Sequence, residues 1–182
     1  MRDRQPTWHY AAYCCRGGLC LWILGLLLLP LLAQAEQFTG KVVGVRAGDT
    51  LSVLRNGRVV RVHLYGVACP ARRQAFSTQA RQFTRDLALR QTVAVVVDAV
   101  ATASTERRSR LIAAIQLPDG RDLSQALVQA GYAWHDIRYA PQDQRLAQLQ
   151  AAAQAAQRGL WAEANPVPPW EWGPGTTAAG KR

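Results

Sequence analysis

Acid is scarce in this chain. Against 22 Lys and Arg there are 12 Asp and Glu in 182 residues, giving a formal net charge of +10. The stretch HLYGVACPA, residues 63–71, carries no acid at all. It follows the alternating run RVVRV, where a strand should deliver side chains to the rim of a domain, so a metal site or carboxylate base there would lack its acidic groups. The positive balance favours polyanions such as nucleic acid, anionic lipid or acidic glycans. The arginines are scattered in pairs, which suits a solvated basic surface equally well.

Paired cysteine is missing too. Cys14, Cys15 and Cys20 lie within the first 35 residues, leaving Cys69 as the one later thiol and excluding an intramolecular disulfide beyond residue 35. The apolar run LCLWILGLLLLPLLA has about 15 residues, short of the roughly 20 that span a bilayer. Arg2, Arg4 and Arg16 precede it and Ala33-Gln34-Ala35 closes it. Residues 1–35 therefore read as a secretory signal peptide, or, if uncleaved, as an N-terminal membrane anchor with the domain outside the cytoplasm. The expected location is periplasmic, secreted or membrane-anchored. That segment holds three Arg and one Asp, so the remainder keeps a formal charge of +8.

What is present is the material of one small domain: 49% hydrophobic residues on a chain long enough for a real core. Val-rich residues 41–46, the turn AGDT and the run LSVLR lead to Asn56-Gly57, the strongest short hairpin signal. In the return strand, Val60, Val62 and Leu64 share one face while Arg61, His63 and Tyr65 share the other. Between Gln74 and Leu89 the spacing becomes helical, with Phe76, Ala80, Phe83 and Leu87 on one face. Strand patterns return in TVAVVVD and RLIAAIQL. A helix follows over DLSQALVQAG, with Asp122 as N-cap and Gly131 as stop, and a last helix is expected from Pro141 to Gly159. The order predicts an α+β domain over residues 36–173, a five-stranded OB-fold barrel with about three flanking helices. Residues 174–182 are expected to form a disordered tail.

The blocks AGDTLSV, RVHLYGVACP, ERRSR, DLSQALVQAGYAW, IRYAP and RGLWAEANPVPPWEW, in that order, resemble the staphylococcal nuclease (thermonuclease) family over roughly residues 38–173. The resemblance implies a barrel that binds Ca²⁺ and hydrolyses DNA and RNA phosphodiesters. Two aspartates and a carbonyl hold the ion, a glutamate handles the attacking water, and two arginines hold the phosphate. Carried onto this sequence, the first metal aspartate is Asp49 and the second arginine is Arg110. The first arginine position holds His63, the second aspartate position Ala68 and the glutamate position Ala71.

Each replacement has a cost. Calcium affinity follows the charge and number of oxygen ligands. Loss of a positioned base costs about 10² to 10⁴ in rate, and imidazole is no bidentate phosphate grip. These changes point to a nuclease-like domain with a degenerate site, kept to bind single-stranded DNA or RNA or an envelope partner, with no bound ion. The alternative is a divergent metal-dependent endonuclease in which Asp49 and Glu106 hold Ca²⁺, His63 is the base and Arg110 grips phosphate. Cys69 reads as a small buried hydrophobe. Arg72, Arg73, Arg81 and Arg85 could grip a phosphate backbone without sequence preference.

Overall fold

The computed structural model describes residues 36–98 and 110–173. The expectations for a signal peptide or anchor at 1–35, for Glu106 as a metal ligand and for a disordered tail at 174–182 lie outside the described residues.

The strands are β1 (Gln37–Ala47), β2 (Thr50–Arg55), β3 (Arg58–Leu64), β4 (Val67–Ala68), β5 (Thr92–Val97), β6 (Arg110–Gln116) and β7 (Trp134–His135). The helices are α1 (Ser77–Ala88), α2 (Leu123–Gln129) and α3 (Gln144–Ala155). Five strands close into a barrel in the order β1-β2-β3-β6-β5, with β3–β6 parallel and the other pairs antiparallel. This is the expected five-stranded α+β barrel. Closure leaves no open sheet edge among these strands. Among the described residues, no helix is long and apolar enough to cross a membrane.

Local sequence accounts for the barrel's first hairpin. Asn56 and Gly57 have φ of 48° and 77°, the paired positive values that a tight turn between right-twisted strands requires. This fixes Arg55 opposite Arg58 and Thr50 opposite His63. Alternation then sends Val62 and Leu64 inward to join Leu51, Val53, Val93, Val95 and Ile115, each no more than 1% exposed. Burying one such side chain contributes about 1.5–3 kcal/mol. His63 is left on the other face, half-buried at the strand's end.

Helix α1 departs from the expected face in one informative way. Ala80 and Ala88 are buried and Phe83 and Leu87 pack partly against the core, but Phe76 stands just outside the helix with φ of 60°. The middle of the buried face is Thr84, whose hydroxyl donates to the Gly48 carbonyl at 2.6 Å. A polar side chain is buried there because it ties the helix to the Gly48-Asp49 turn.

The Asp122 cap is as expected, its side chain accepting from the Gln125 amide at 2.9 Å. The last helix is shorter than expected, beginning at Gln144 and ending at Ala155. Asp143 caps it by accepting from the Leu146 amide, so the Asp rather than Pro141 sets the start. Gly159 serves another purpose. A Cβ there would lie 2.2 Å from the Gly131 oxygen, and one on Gly131 would lie 2.2 Å from the Arg158 oxygen. These two turns meet backbone to backbone, and the Leu160 amide donates to Gly131. Trp134 meets Trp161 edge-on at 5.6 Å, while Trp172 joins Trp134, Leu160 and Val167 around a small cavity. Packing thus explains those tryptophans.

Candidate functional site

The β3 end, the start of β6 and the segment after β7 converge on one small cavity of about 110 Å³. Parallel pairing sets Arg61 beside Arg110 and His63 beside Ile112, which brings His63 and Arg110 into the same lining. The short β4–β7 ladder and a bond from the Asp136 amide to the Gly66 oxygen bring in Asp136 and Tyr139. Sequence reasoning did not single out these last two. The signal was present only as the block IRYAP and the Asp before it; their placement depends on a long-range pairing of two-residue strands, too short to show a period.

Asp49 sits behind His63, 8% exposed. Its Oδ1 accepts from the Thr50 hydroxyl at 2.8 Å and its Oδ2 from the Cys69 amide at 2.9 Å. The same hydroxyl lies 3.1 Å from His63 Nδ1. A hydroxyl has one hydrogen. Spent on the carboxylate, it leaves Thr50 to accept from Nδ1–H, so neutral His63 keeps a bare Nε2 lone pair. Burial holds the His63 imidazole below its usual range; Asp49 opposes that shift, Arg110 adds to it and Asp136 opposes it again. His63 is therefore neutral near pH 7, with its proton on the Asp49 side.

Arg110 is the complementary group. Its Nε is buried without a hydrogen-bond partner among the described residues, a costly state for a charged donor unless an anion meets it. Asp136, by contrast, is committed: Arg138 donates to it from Nε at 2.8 Å and from a terminal guanidinium nitrogen at 2.7 Å, and its own amide adds a third bond. Tyr139 is exposed at the cavity's rim, its carbonyl accepting from the Tyr65 hydroxyl.

The other sequence-selected residues fall elsewhere. Ala68 pairs with Trp134 in the β4–β7 ladder, and Ala71 donates its amide to the Gln74 side chain. Cys69 is 4% exposed, and burial together with Asp49 pushes its thiol well up, away from the reactive thiolate. Arg72 and Arg73 are exposed in the loop before α1, with Arg81 and Arg85 exposed on α1 itself; none of them lines the cavity.

A profile of the staphylococcal nuclease homologue family matches residues 61–163. The chain belongs to the staphylococcal nuclease family. The matched span takes in His63, Ala68, Ala71 and Arg110. A protein of Escherichia coli O157:H7 described as an uncharacterized endonuclease is 34% identical over 133 residues, covering 73% of this chain and 83% of that protein. A Shigella flexneri protein described as micrococcal nuclease is 33% identical over 156 residues, covering 81% and 86%. A further uncharacterized endonuclease, from Haemophilus influenzae, is 30% identical over 138 residues, covering 75% and 74%.

Nucleases of this family generally depend on Ca²⁺, an ion that takes six to eight oxygen ligands. The described residues do not fit it. Asp49 is a single carboxylate with both oxygens already accepting hydrogen bonds. Ala68 and Ala71 bring no side-chain oxygen, and Asp136 is held by Arg138. No group of three or more His, Cys, Asp and Glu among the described residues could hold a metal.

Proposed function

We propose that this domain binds nucleic acid at the His63–Arg110 cavity and has lost the calcium-dependent hydrolysis of its family. The observation that carries this reading is a buried Arg110 Nε with no hydrogen-bond partner among the described residues, beside a carboxylate, Asp49, whose two oxygens already accept from the Thr50 hydroxyl and the Cys69 amide. Arg110 supplies charge and a donor for phosphate, whereas His63, protonated on Nδ1, offers no N–H from Nε2. Among the described residues the site can hold a phosphodiester but places no uncommitted carboxylate to activate water. The substrate class is single-stranded DNA or RNA, and no Ca²⁺ is needed. The runs at residues 1–35 support export, with the domain acting in the periplasm, outside the cell or tethered at the membrane, where an envelope partner is an additional expected contact. The arginines of α1 and its preceding loop support the same polyanion from outside the cavity.

Binding of a labelled single-stranded oligonucleotide with EDTA present tests the reading. Wild-type protein should bind, and Arg110→Gln should weaken binding by at least tenfold. Equal affinity in the two proteins would contradict the role given to Arg110.

A further inference from the structure

A cavity with one permanent cation gives a weak hold on a polyanion, and a second basic feature lies at the far end of the same strand. A groove of about 690 Å³ is lined by Arg121, Arg145 and Arg158 and by Gln116, Gln125 and Gln129. Arg110 begins β6 and Gln116 ends it, so at about 3.3 Å per residue the groove lies roughly 20 Å from the cavity.

Its arginines come from three places: the turn after β6, the first turn of α3 and the segment after α3. Two of them are already oriented. Asp119 accepts from Arg121 at 2.8 and 2.6 Å, and Arg158 donates to the Gln129 carbonyl at 3.3 Å. Asp119 offsets part of the Arg121 charge, while the Asp122 carboxylate, which also lines the groove, is engaged in capping α2. Lysine would serve as a point charge, but a guanidinium offers a planar fork suited to phosphate oxygens.

The lining also indicates what does not belong there. Among the described residues, the exposed large hydrophobic side chains are Val43, Leu54, Val59, Ile137, Tyr139 and Trp170, and none of these borders the groove; the aromatic that does, Phe83, is half-buried and packed against the core and the Tyr132 ring. A membrane surface or a protein hot spot would need such anchors. Amides beside arginines instead match a ligand with both phosphates and hydrogen-bonding edges.

We propose that this groove is a second binding site for single-stranded nucleic acid, holding a more distant part of the strand whose phosphate meets Arg110. The inference rests on the nucleic-acid-binding reading above. Its arginines neutralise backbone phosphates, and its glutamine amides meet base edges or sugar hydroxyls. A separation of about 20 Å suits a barrel of this kind, whose sites cover roughly 4–16 nucleotides.

The test uses the full chain in chelator, titrated with the thymidine oligonucleotides dT3 and dT16. The variants are Arg121→Gln/Arg145→Gln/Arg158→Gln and, separately, Arg110→Gln. Wild-type protein should take two dT3 molecules, and each variant one. For dT16 the groove variant should lose at least tenfold in affinity. Three lost phosphate contacts should also reduce its log–log salt slope by about 2. All three groove arginines are exposed, so the melting curve should stay in place and confirm an intact fold. If wild-type protein binds dT16 but the groove variant keeps the same affinity and slope, the second site is refuted while the Arg110 reading stands. If wild-type protein binds neither oligonucleotide, the nucleic-acid reading itself fails. Loss of binding in the groove variant only to vesicles of 30% phosphatidylserine in phosphatidylcholine, with dT16 unaffected, would overturn the proposal in favour of lipid.

Discussion

Thr50 is the residue that decides what His63 can do. By giving its hydrogen to Asp49 it must accept from Nδ1–H, which directs the bare nitrogen of the ring away from the carboxylate. In Thr50→Val that constraint is gone, and nitrogen NMR of the imidazole should change from one dominant tautomer to a mixture; an unchanged spectrum would show that Asp49 orients the ring directly. His63 also links stability to pH. Its folded pKa lies below its unfolded value, so between the two values the unfolded chain binds more protons and stability falls as pH drops. The sign is opposite to that of a histidine stabilised by a salt bridge. Denaturant melts from pH 7.5 downward should show a loss of stability that His63→Gln reduces. The lack of acid in HLYGVACPA and the place of His63 on the face opposite Val62 and Leu64 were legible in the sequence. The direction of the Asp49 carboxylate was not, because it depends on the Cys69 amide twenty residues away.

At the scale of elements, the strands and their order could be read from periodicity, and the hairpin from Asn56-Gly57. The helices were read less well where burial is polar. Thr84 interrupts an apolar stripe to reach Gly48, so Thr84→Val, nearly equal in volume, should cost about 1–3 kcal/mol by leaving that buried carbonyl without its donor. A cost below a few tenths in a denaturant titration would mean the turn is held by other contacts. The start of α3 was misplaced because Pro141 is a strong local signal, whereas Asp143 acts through a cap bond to Leu146. Asp143→Ala should destabilise by about 1 kcal/mol, measurable as a lowered melting temperature. The β4–β7 pairing, which brings Asp136 to the cavity, was invisible for a different reason: each strand has two residues, and such a pair has no period to read.

For the whole molecule, the excess of basic residues is distributed over at least three places: the cavity, the loop and helix carrying Arg72, Arg73, Arg81 and Arg85, and the groove at the far end of β6. Binding to a long strand should therefore weaken steeply with salt, whereas a short oligonucleotide should depend on it less. The chain belongs to the staphylococcal nuclease family and keeps a closed five-stranded barrel; on the proposed reading, its charged groups hold a polyanion without hydrolysing it. If only the chemistry was lost, then His63→Arg, Ala68→Asp and Ala71→Glu made together should restore calcium-dependent cleavage to a domain that still places Asp49 and Arg110. The most direct measurement is cleavage of single-stranded DNA and of RNA by the wild-type protein, with Ca²⁺ and with EDTA, followed alongside binding. The expected result is binding in both conditions and intact substrate in both. Chelator-sensitive cleavage that disappears in Asp49→Ala would contradict the loss of metal-dependent hydrolysis.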